Sequence, residues 1–387
     1  MNNKKAVMIG AGNIGRGFIG QIFHDSGYHV VFVDVDSGIV DKLNRDKSYL
    51  LTLTDGNNSE TRIIDNVSAL NGNNALSVAE QLAQCDIAAV AVGKKALNSI
   101  SGYLALGIKE RSKHRHNEPM NILICENINH ARKYLYDLLE AHFLIEEKHL
   151  LNATGLVETT IGRMVPMPTP AMRAADITAI ATEPYYRLPV DEKAFRGIKP
   201  ELLYTETFDP FEFFEEKKLF IHNLGHAMCA FMGARRGYEY VWQAVSDEEV
   251  AGAARNVMNL LAGAIANTYN ADKIALFEFV DELLRRFGNR LLGDTVARVG
   301  RDPLRKLAPG DRFMGAVARC QSQGLLYDEL LTGIAAALKF NADGDPTAGQ
   351  MHEMIALQGV EGFAGSYCGL SEKDSHTVAS IYNRDSK

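Results

Sequence analysis

Short apolar runs alternate with helix-like stretches over the first 150 residues of the chain. The runs are four to seven residues long and lack polar alternation, which is typical of fully buried strands; they cover residues 6–9, 29–34, 87–93 and 121–126. Helical periods lie between them, as at 14–26 and 75–84. Because buried strands that alternate with helices form parallel sheets covered on both faces, this half of the chain is predicted to be α/β.

The pattern changes near residue 200. A mixed region comes first, with a proline-rich stretch at 164–170 that helices avoid and a further predicted strand at 177–183. Long helical periods then follow almost to the end of the chain, at 211–233, 247–269, 275–287 and 325–339. We therefore predict a doubly wound α/β domain over residues 1–200 and a mostly α-helical substrate or catalytic domain over residues 201–387.

Composition and charge limit the class of protein. The length of 387 residues is long for one hydrophobic core, and 46% apolar with 23% charged residues is typical of a globular protein. No stretch approaches the roughly 18–20 apolar residues of a membrane span, and no signal peptide is predicted. A net charge of −7 argues against binding to nucleic acid or to an anionic membrane.

The cysteines and histidines give no sign of a metal site or of disulfides. The five cysteines are odd in number and form no C-x-x-C pair, so we expect free thiols in a reducing cytoplasm. The chain also lacks H-E-x-x-H and the clustered Cys/His spacing of zinc sites. The composition therefore indicates a cytoplasmic protein and supports no metal.

The sequence G-A-G-N-I-G-R-G follows the first strand and opens a helical pattern. Gly10 permits the tight turn, Gly12 lets the backbone approach a pyrophosphate, and Gly15 lets helix and strand pack closely. Asn13 and Ile14 lie at the start of the helix, whose unpaired N–H groups bind phosphate. The turn predicts a dinucleotide site, and thus an N-terminal Rossmann-type doubly wound sheet followed by a mostly α-helical domain.

An acid ends the next strand at Asp34, 24 residues after Gly10. A carboxylate there accepts hydrogen bonds from the adenosine ribose and repels a 2′-phosphate, so we predict NAD rather than NADP. Gly93 ends the run at 87–93, where its bare backbone could border the nicotinamide, although a plain turn glycine is the alternative. For Arg16 the sequence leaves two alternatives, a contact with phosphate or an exposed position.

The helical period at 211–233 carries three polar residues among apolar ones. On an α-helix, Lys218, Asn223 and His226 lie within an arc of about 140°. Burial lowers the pKa of a lysine, which would make Lys218 a base near neutral pH, and the amide and imidazole could hold a hydroxyl and its developing alkoxide. The alternative is structural: a lysine that reaches solvent, an asparagine bonded to backbone and a satisfied core histidine.

Four motifs, in order and over nearly the whole chain, resemble those of the polyol-specific long-chain dehydrogenases. The glycine-rich turn is shared by many NAD enzymes, and C-E-N stands at 125–127. The other two, K-L-F-x-x-N-x-x-H at 218–226 and R-V-G-R-D-P-L-R-K-L-A-P-G-D-R at 298–312, are specific to that family. This chain is thus identified as a member by resemblance.

The resemblance implies a role for each matching residue. Lys218 would be the general base, Asn127 and Asn223 an oxyanion hole, and His226 the residue that orients substrate hydroxyls. The implied reaction is metal-independent oxidation of mannitol 1-phosphate by NAD to fructose 6-phosphate, in either direction.

Five cations lie within the 15 residues 298–312 of this acidic chain. Arginine forks match the geometry of phosphate, so at least one contact with the substrate phosphate is predicted here. The alternative is a solvated helix end with internal ion pairs. The residues concerned are Arg298, Arg301, Arg305, Lys306 and Arg312.

Two departures from the family pattern leave the substrate open. Gly162, in I-G-R, stands where many relatives have the acid of V-D-R, and Phe231 replaces a family tyrosine. A reductase of an unphosphorylated ketose or a hexuronate is one alternative, and a non-catalytic NAD-binding sensor is another. We expect a small sugar-phosphate substrate, no nucleic-acid or membrane partner, and a monomer or small homo-oligomer.

Overall fold

The computed structural model describes residues 4–115, 118–128 and 130–384. The chain divides into two compact units, Met1–Phe211 and Glu212–Lys387. All five cysteines are free thiols, as predicted, and the structure shows in addition that they are buried. Across the described residues, no helix combines the length and apolar character that a bilayer crossing requires.

A six-stranded parallel sheet organises the first unit. Its strand order is β5-β2-β1-β6-β7-β8. This is the 3-2-1-4-5-6 order of the Rossmann fold, so the predicted fold class is confirmed. The strands of the unit are β1 (Lys5–Ile9), β2 (His29–Asp34), β3 (Tyr49–Thr54), β4 (Ser59–Ile64), β5 (Val67–Asn71), β6 (Ile87–Val90), β7 (Asn121–Ile124), β8 (Gly155–Glu158), β9 (Ile180–Thr182), β10 (Leu188–Pro189) and β11 (Thr205–Glu206).

Helices cover both faces of this sheet. Along β1, Ala6 and Met8 belong to one buried cluster, whereas Val7 and Ile9 belong to the other. Successive side chains of a strand point to opposite faces, which explains why the strands are apolar without alternation. The helices of this unit are α1 (Gly20–Asp25), α2 (Ser37–Asp46), α3 (Ala75–Gln84), α4 (Lys94–His114), α5 (Ala131–Glu140), α6 (Lys148–Asn152) and α7 (Pro170–Ala175).

A second, smaller sheet was not predicted. The hairpin β3–β4 is antiparallel, and β9 pairs with β3 in parallel. The predicted strand at 177–183 exists in shorter form as β9, and it belongs to this sheet. Strands β10 and β11 form a separate parallel pair.

The second unit is built from helices, as predicted. Two of the expected helical periods match α11 and α12 within two residues at each end. The period at 211–233 consists of α8, a π-helical segment at Lys217–Asn223 and α9. The helices are α8 (Glu212–Glu216), α9 (Leu224–Arg235), α10 (Val241–Ser246), α11 (Glu248–Tyr269), α12 (Lys273–Phe287), α13 (Val296–Gly300), α14 (Pro303–Leu307), α15 (Arg312–Ser322), α16 (Asp328–Leu338), α17 (Pro346–Ser366) and α18 (Glu372–Arg384).

Candidate active site

The glycine-rich turn joins β1 to a helical run that begins with a π-helical segment, Gly15–Ile19. Gly10 has a φ of +99°, and its N–H donates to the Val33 carbonyl at 2.8 Å. A Cβ at Gly15 would lie 1.9 Å from the Gly10 oxygen, so only glycine lets the helix start this close. A Cβ at Gly12 would meet no atom within 4 Å. Open space beside a helix start fits the pyrophosphate of a dinucleotide.

Asp34 lies against this turn at the end of β2. Its Oδ2 accepts a hydrogen bond from the Ala11 N–H at 2.7 Å, and its Oδ1 accepts one from the Asp36 N–H at 3.0 Å. These bonds fix the carboxylate beside the glycine-rich turn. That is the place from which an acid can accept hydrogen bonds from the adenosine ribose.

Three other side chains near the turn serve the protein interior. Asn13 donates to the Pro166 carbonyl at 3.1 Å, and Ile14 packs against a core cluster. This leaves their backbone N–H groups for a dinucleotide. The exposed alternative for Arg16 was wrong, because its side chain is buried and donates to carbonyls that include that of Ala11, at 2.6 Å. Burial lowers the pKa of Arg16. The Arg16 side chain ties the glycine-rich turn to the segment before β9.

A buried carboxylate that follows β7 was not predicted from the sequence. Glu126 accepts hydrogen bonds from the N–H groups of Val92 at 2.7 Å and Gly93 at 3.0 Å. Burial raises the pKa of Glu126, against the effect of these two donors. Gly93 has a φ of +83°, which favours glycine, and it is the N-cap residue of α4. Asn127, the predicted oxyanion residue, follows Glu126 and is exposed.

In the second unit, the π-helical segment Lys217–Asn223 sets the register of the predicted base. An i→i+5 hydrogen-bond pattern brings residue i+5 over residue i, so Lys218 and Asn223 share one side of the helix. In the α-helix predicted from the sequence, these two residues would lie about 140° apart. Both π-helical segments of the described chain coincide with predicted sites, which agrees with the frequent occurrence of π-bulges at functional positions.

Lys218 is partly buried and lies near the basic segment. Burial lowers its pKa to about 8, and the charge of Arg312 contributes. Helix α15, which begins at Arg312, packs against the π-helical segment. A Cβ at Gly315 would come within 2.7 Å of the Phe220 ring, so glycine allows this close approach. The structure therefore brings the predicted base and the end of the basic segment together.

His226 is held between an aromatic ring and a carboxylate. Its ring stacks on Phe287 with centroids 4.6 Å apart and planes 9° apart, and its Nε2 lies 3.4 Å from Asp294 Oδ2. One turn earlier, His222 is also buried, and burial together with nearby cations holds its pKa well below the usual range. Neither Asp294 nor His222 was singled out in the sequence, although both lie within or beside the family motifs.

Two exposed arginines of the basic segment form ion pairs. Arg298 pairs with Asp294, four residues earlier. Arg305 pairs with Asp302 at 2.7 Å and with Asp311 at 3.3 Å. The internal ion pairs that the sequence left as an alternative thus exist for these two arginines.

Of the other three cations, Arg312 also pairs with a carboxylate, whereas Lys306 bonds to a backbone carbonyl. Lys306 is buried and donates to the Arg301 carbonyl. Burial lowers the pKa of Lys306 to about 7, with contributions from the charges of Arg312 and Arg305. The Arg301 side chain is exposed and has no ion-pair partner in the described ranges. Arg312 is buried and pairs with Asp311 at 2.9 Å.

The two departures from the family pattern are built into the packing. A Cβ at Gly162 would lie 3.0 Å from the Tyr185 ring, so Tyr185 fills the space that an acidic side chain would need. Phe231 is fully buried and packs on the rings of Phe313 and Phe340, with centroids 5.8 and 5.1 Å away. Among the residues described, no group of three or more His, Cys, Asp and Glu side chains could hold a metal ion.

The sheet order, the glycine turn and the acid at the end of β2 are those of a dinucleotide-binding Rossmann domain. Residues 4–203 match the mannitol dehydrogenase Rossmann domain, and residues 211–359 match the mannitol dehydrogenase C-terminal domain. The chain belongs to the mannitol dehydrogenase family. It is an NAD-dependent polyol dehydrogenase.

Individual proteins are similar to this chain over nearly its whole length. Mannitol-1-phosphate 5-dehydrogenase of Shouchella clausii (strain KSM-K16) is 34% identical over 385 residues, which is 98% of this chain and 100% of that protein. A D-sorbitol dehydrogenase structure has a TM-score of 0.84 at 18% identity and covers 98% of this chain and 93% of its own. The Pseudomonas fluorescens mannitol 2-dehydrogenase complex with NAD and D-mannitol has a TM-score of 0.75 at 16% identity and covers 98% and 91%. These two structures share the fold.

Proposed function

We propose that the chain is a metal-independent mannitol-1-phosphate 5-dehydrogenase. The reaction is mannitol 1-phosphate + NAD⁺ → fructose 6-phosphate + NADH + H⁺, and it is reversible. The observation that carries the proposal is a partly buried Lys218 with a pKa of about 8 beside Arg312 of the basic segment. The Shouchella clausii relative, matched over its whole length, supports the same substrate.

Lys218 is the general base in this proposal. Its lowered pKa leaves part of the population neutral at neutral pH, so it can take the proton from the C5 hydroxyl of the substrate. Asn223 lies on the same side of the helix and donates an amide N–H to that oxygen as negative charge develops. Asn127 has the same assigned role, and His226 orients a substrate hydroxyl. When bound, NAD⁺ accepts the hydride from C5.

The proposed base also supports the proposed metal independence. A metal ion assists such oxidations by acidifying the reacting oxygen. Lys218 offers a proton acceptor whose pKa of about 8 already lies close to the working pH. The described residues offer no metal-ligand cluster that would supply an alternative.

The basic segment is assigned to the substrate phosphate. The exposed Arg301 has its guanidinium available, and Arg305 could exchange its carboxylate partners for phosphate oxygens at small cost, because surface ion pairs contribute little. Lys306 loses less hydration on contact with phosphate, since it is already buried. Arg298 completes the set, although Asp294 holds it in the structure.

Isotope transfer tests the reaction directly. The purified protein is incubated with fructose 6-phosphate and NADH that is deuterated at nicotinamide C4, with EDTA present. The expected product is mannitol 1-phosphate with one deuterium at C5, identified by NMR and mass spectrometry. Absence of this product, or complete loss of the reaction in EDTA, would contradict the proposal.

A second candidate rests on Gly162 and Phe231. Because Tyr185 fills the space of the family acid, the substrate pocket could accept an unphosphorylated ketose or a hexuronate instead. The same isotope experiment with fructose, tagaturonate and fructuronate tests this candidate. Deuterium in one of these products, and none with fructose 6-phosphate, would favour it.

A further inference from the structure

One carboxylate in the second unit contacts both a proposed substrate-orienting residue and a proposed phosphate contact. The Oδ2 atom of Asp294 lies 3.4 Å from Nε2 of His226, and its Oδ1 atom accepts a hydrogen bond from the Arg298 guanidinium. The side chains of Asp294 and His226 are 10% and 15% exposed. Burial reduces competition from water, so the carboxylate can fix the positions of both partners.

The ring of His226 is restrained on its face as well. Phe287 stacks against it, which defines the plane of the imidazole and leaves rotation within that plane. The Nε2 atom is buried, and its contact with Asp294 is longer and less well aligned than a full hydrogen bond. Such contacts in ligand-free sites commonly shorten when substrate binds.

Asp294 is ionised in this environment. Burial alone would raise the pKa of Asp294, but His226 and Arg298 together lower it below the usual value. An ionised carboxylate has only acceptor atoms, so the imidazole must present an N–H to it. The proton of neutral His226 therefore belongs on Nε2, and Nδ1 carries the lone pair.

We propose that Asp294 is a positioning residue that holds His226 as the Nε2–H tautomer, leaves Nδ1 as the acceptor for a substrate hydroxyl, and anchors Arg298 at the same time. The inference rests on the role proposed above for His226 in binding a polyol phosphate. In this proposal Asp294 touches neither substrate nor cofactor. It acts through His226 and Arg298, which are both assigned to substrate binding. Carboxylates that fix the tautomer of a functional histidine in this way are common partners of such sites.

The first test needs no substrate. Nitrogen-15 NMR of the histidine side chains, with His226 assigned by its loss in His226→Gln, reports which ring nitrogen carries the proton. We expect Nε2–H in the wild-type protein. Asp294→Asn keeps the shape of the side chain but can present either a donor or an acceptor, so we expect mixed tautomers, and Asp294→Ala should lose the preference altogether. An unchanged Nε2–H population in both variants would overturn the proposal.

Kinetics provide the second test. We expect kcat/KM for fructose 6-phosphate to fall about 10-fold in Asp294→Asn and about 100-fold in Asp294→Ala, in the range seen for supporting residues. The dissociation constant of NADH should not change, because the cofactor turn belongs to the first unit. Wild-type kcat/KM in Asp294→Ala would also overturn the proposal.

Asp247→Asn is the matched control. Asp247 is 11% exposed, pairs with Arg236 at 2.7 Å and caps α11. Asparagine is as good an N-cap as aspartate, so this variant loses the same charge without loss of the cap. We expect wild-type kinetics and a wild-type His226 tautomer. If the wild-type protein does not reduce fructose 6-phosphate, the proposed function fails, and the NMR result still decides the role of Asp294.

Discussion

Lys218 and Asn223 lie five residues apart in a π-helical segment and share one side of the helix. In a regular α-helix the same two residues would point about 140° apart. The local backbone therefore places an amide donor beside the proposed base. A base that removes a hydroxyl proton and a donor that stabilises the resulting oxygen need this proximity.

Replacement of Lys218 by methionine should remove turnover and leave cofactor binding intact. Methionine keeps most of the side-chain volume but cannot accept a proton, and general-base catalysis is worth about 10²–10⁴-fold. We expect kcat for mannitol 1-phosphate oxidation to fall by at least about 10²-fold. The NADH dissociation constant, measured by fluorescence, should match the wild type. Retained turnover would show that another group is the base, and loss of NADH binding would indicate misfolding.

The pH dependence should follow the protonation of Lys218. Oxidation needs the neutral amine, so its kcat should rise with pH through about 8, the pKa of Lys218. Reduction needs the ammonium as proton donor, so its kcat should fall through the same range. The measurement is a pair of pH profiles between pH 6 and pH 10. If kcat changes with pH in the same sense for oxidation and for reduction, Lys218 is not the single acid–base group.

Asp34 should decide between NAD and NADP. Its carboxylate lies against the glycine-rich turn through the Ala11 N–H. In Asp34→Ser, a ribose partner is weakened and the repulsion of a 2′-phosphate is removed. We expect the KM for NAD to rise about 10-fold, the equivalent of 1.4 kcal/mol, and the KM for NADP to fall.

The matched control for this change is Asp55→Asn, which alters an exposed turn acid of the β3–β4 hairpin. It should leave both KM values unchanged. If Asp34→Ser keeps the wild-type preference for NAD over NADP, another part of the protein determines the cofactor selectivity.

An acid at Gly162 should destabilise the first unit. Its Cβ would come within 3.0 Å of Tyr185, and overpacking of this kind costs about 1–3 kcal/mol. We expect a lower urea midpoint for Gly162→Asp and a recovery in the double variant with Tyr185→Ala, because the two sites share one space.

Gly252→Asp is the control for Gly162→Asp. A Cβ at Gly252 meets no atom within 4 Å, so the same substitution should cost little there. A Gly162→Asp protein with wild-type stability would show that Tyr185 moves freely, and that the departure from the family pattern is not fixed by packing.

The parts of the fold that the sequence predicted are those with local signals. The strand before Gly10, the glycine turn and Asp34 lie within one short segment with fixed spacing, and long apolar periods marked α11 and α12. The hairpin β3–β4 was missed because β4 is mostly exposed and carries little apolar pattern. The π-helical segment at Lys217–Asn223 was missed because a period of 3.6 residues does not encode an i→i+5 register.

The site residues that were missed or wrong depend on distant partners. Glu126 accepts hydrogen bonds from a turn more than 30 residues earlier. Arg16 is buried because carbonyl groups more than 160 residues away accept its guanidinium hydrogens. Asp294 contacts His226 although the two residues lie in separate segments of the second unit. No window of sequence holds both members of such pairs, so tertiary structure alone reveals them.

The rate of NADH oxidation by the purified protein, with EDTA present and with fructose 6-phosphate and fructose offered in parallel, tests the central claim most directly. We predict consumption of NADH with fructose 6-phosphate and a kcat/KM at least about 10²-fold lower with fructose, because the charged contacts of the basic segment would be lost. Equal rates with the two sugars, or consumption with fructose alone, would contradict a polyol-phosphate dehydrogenase.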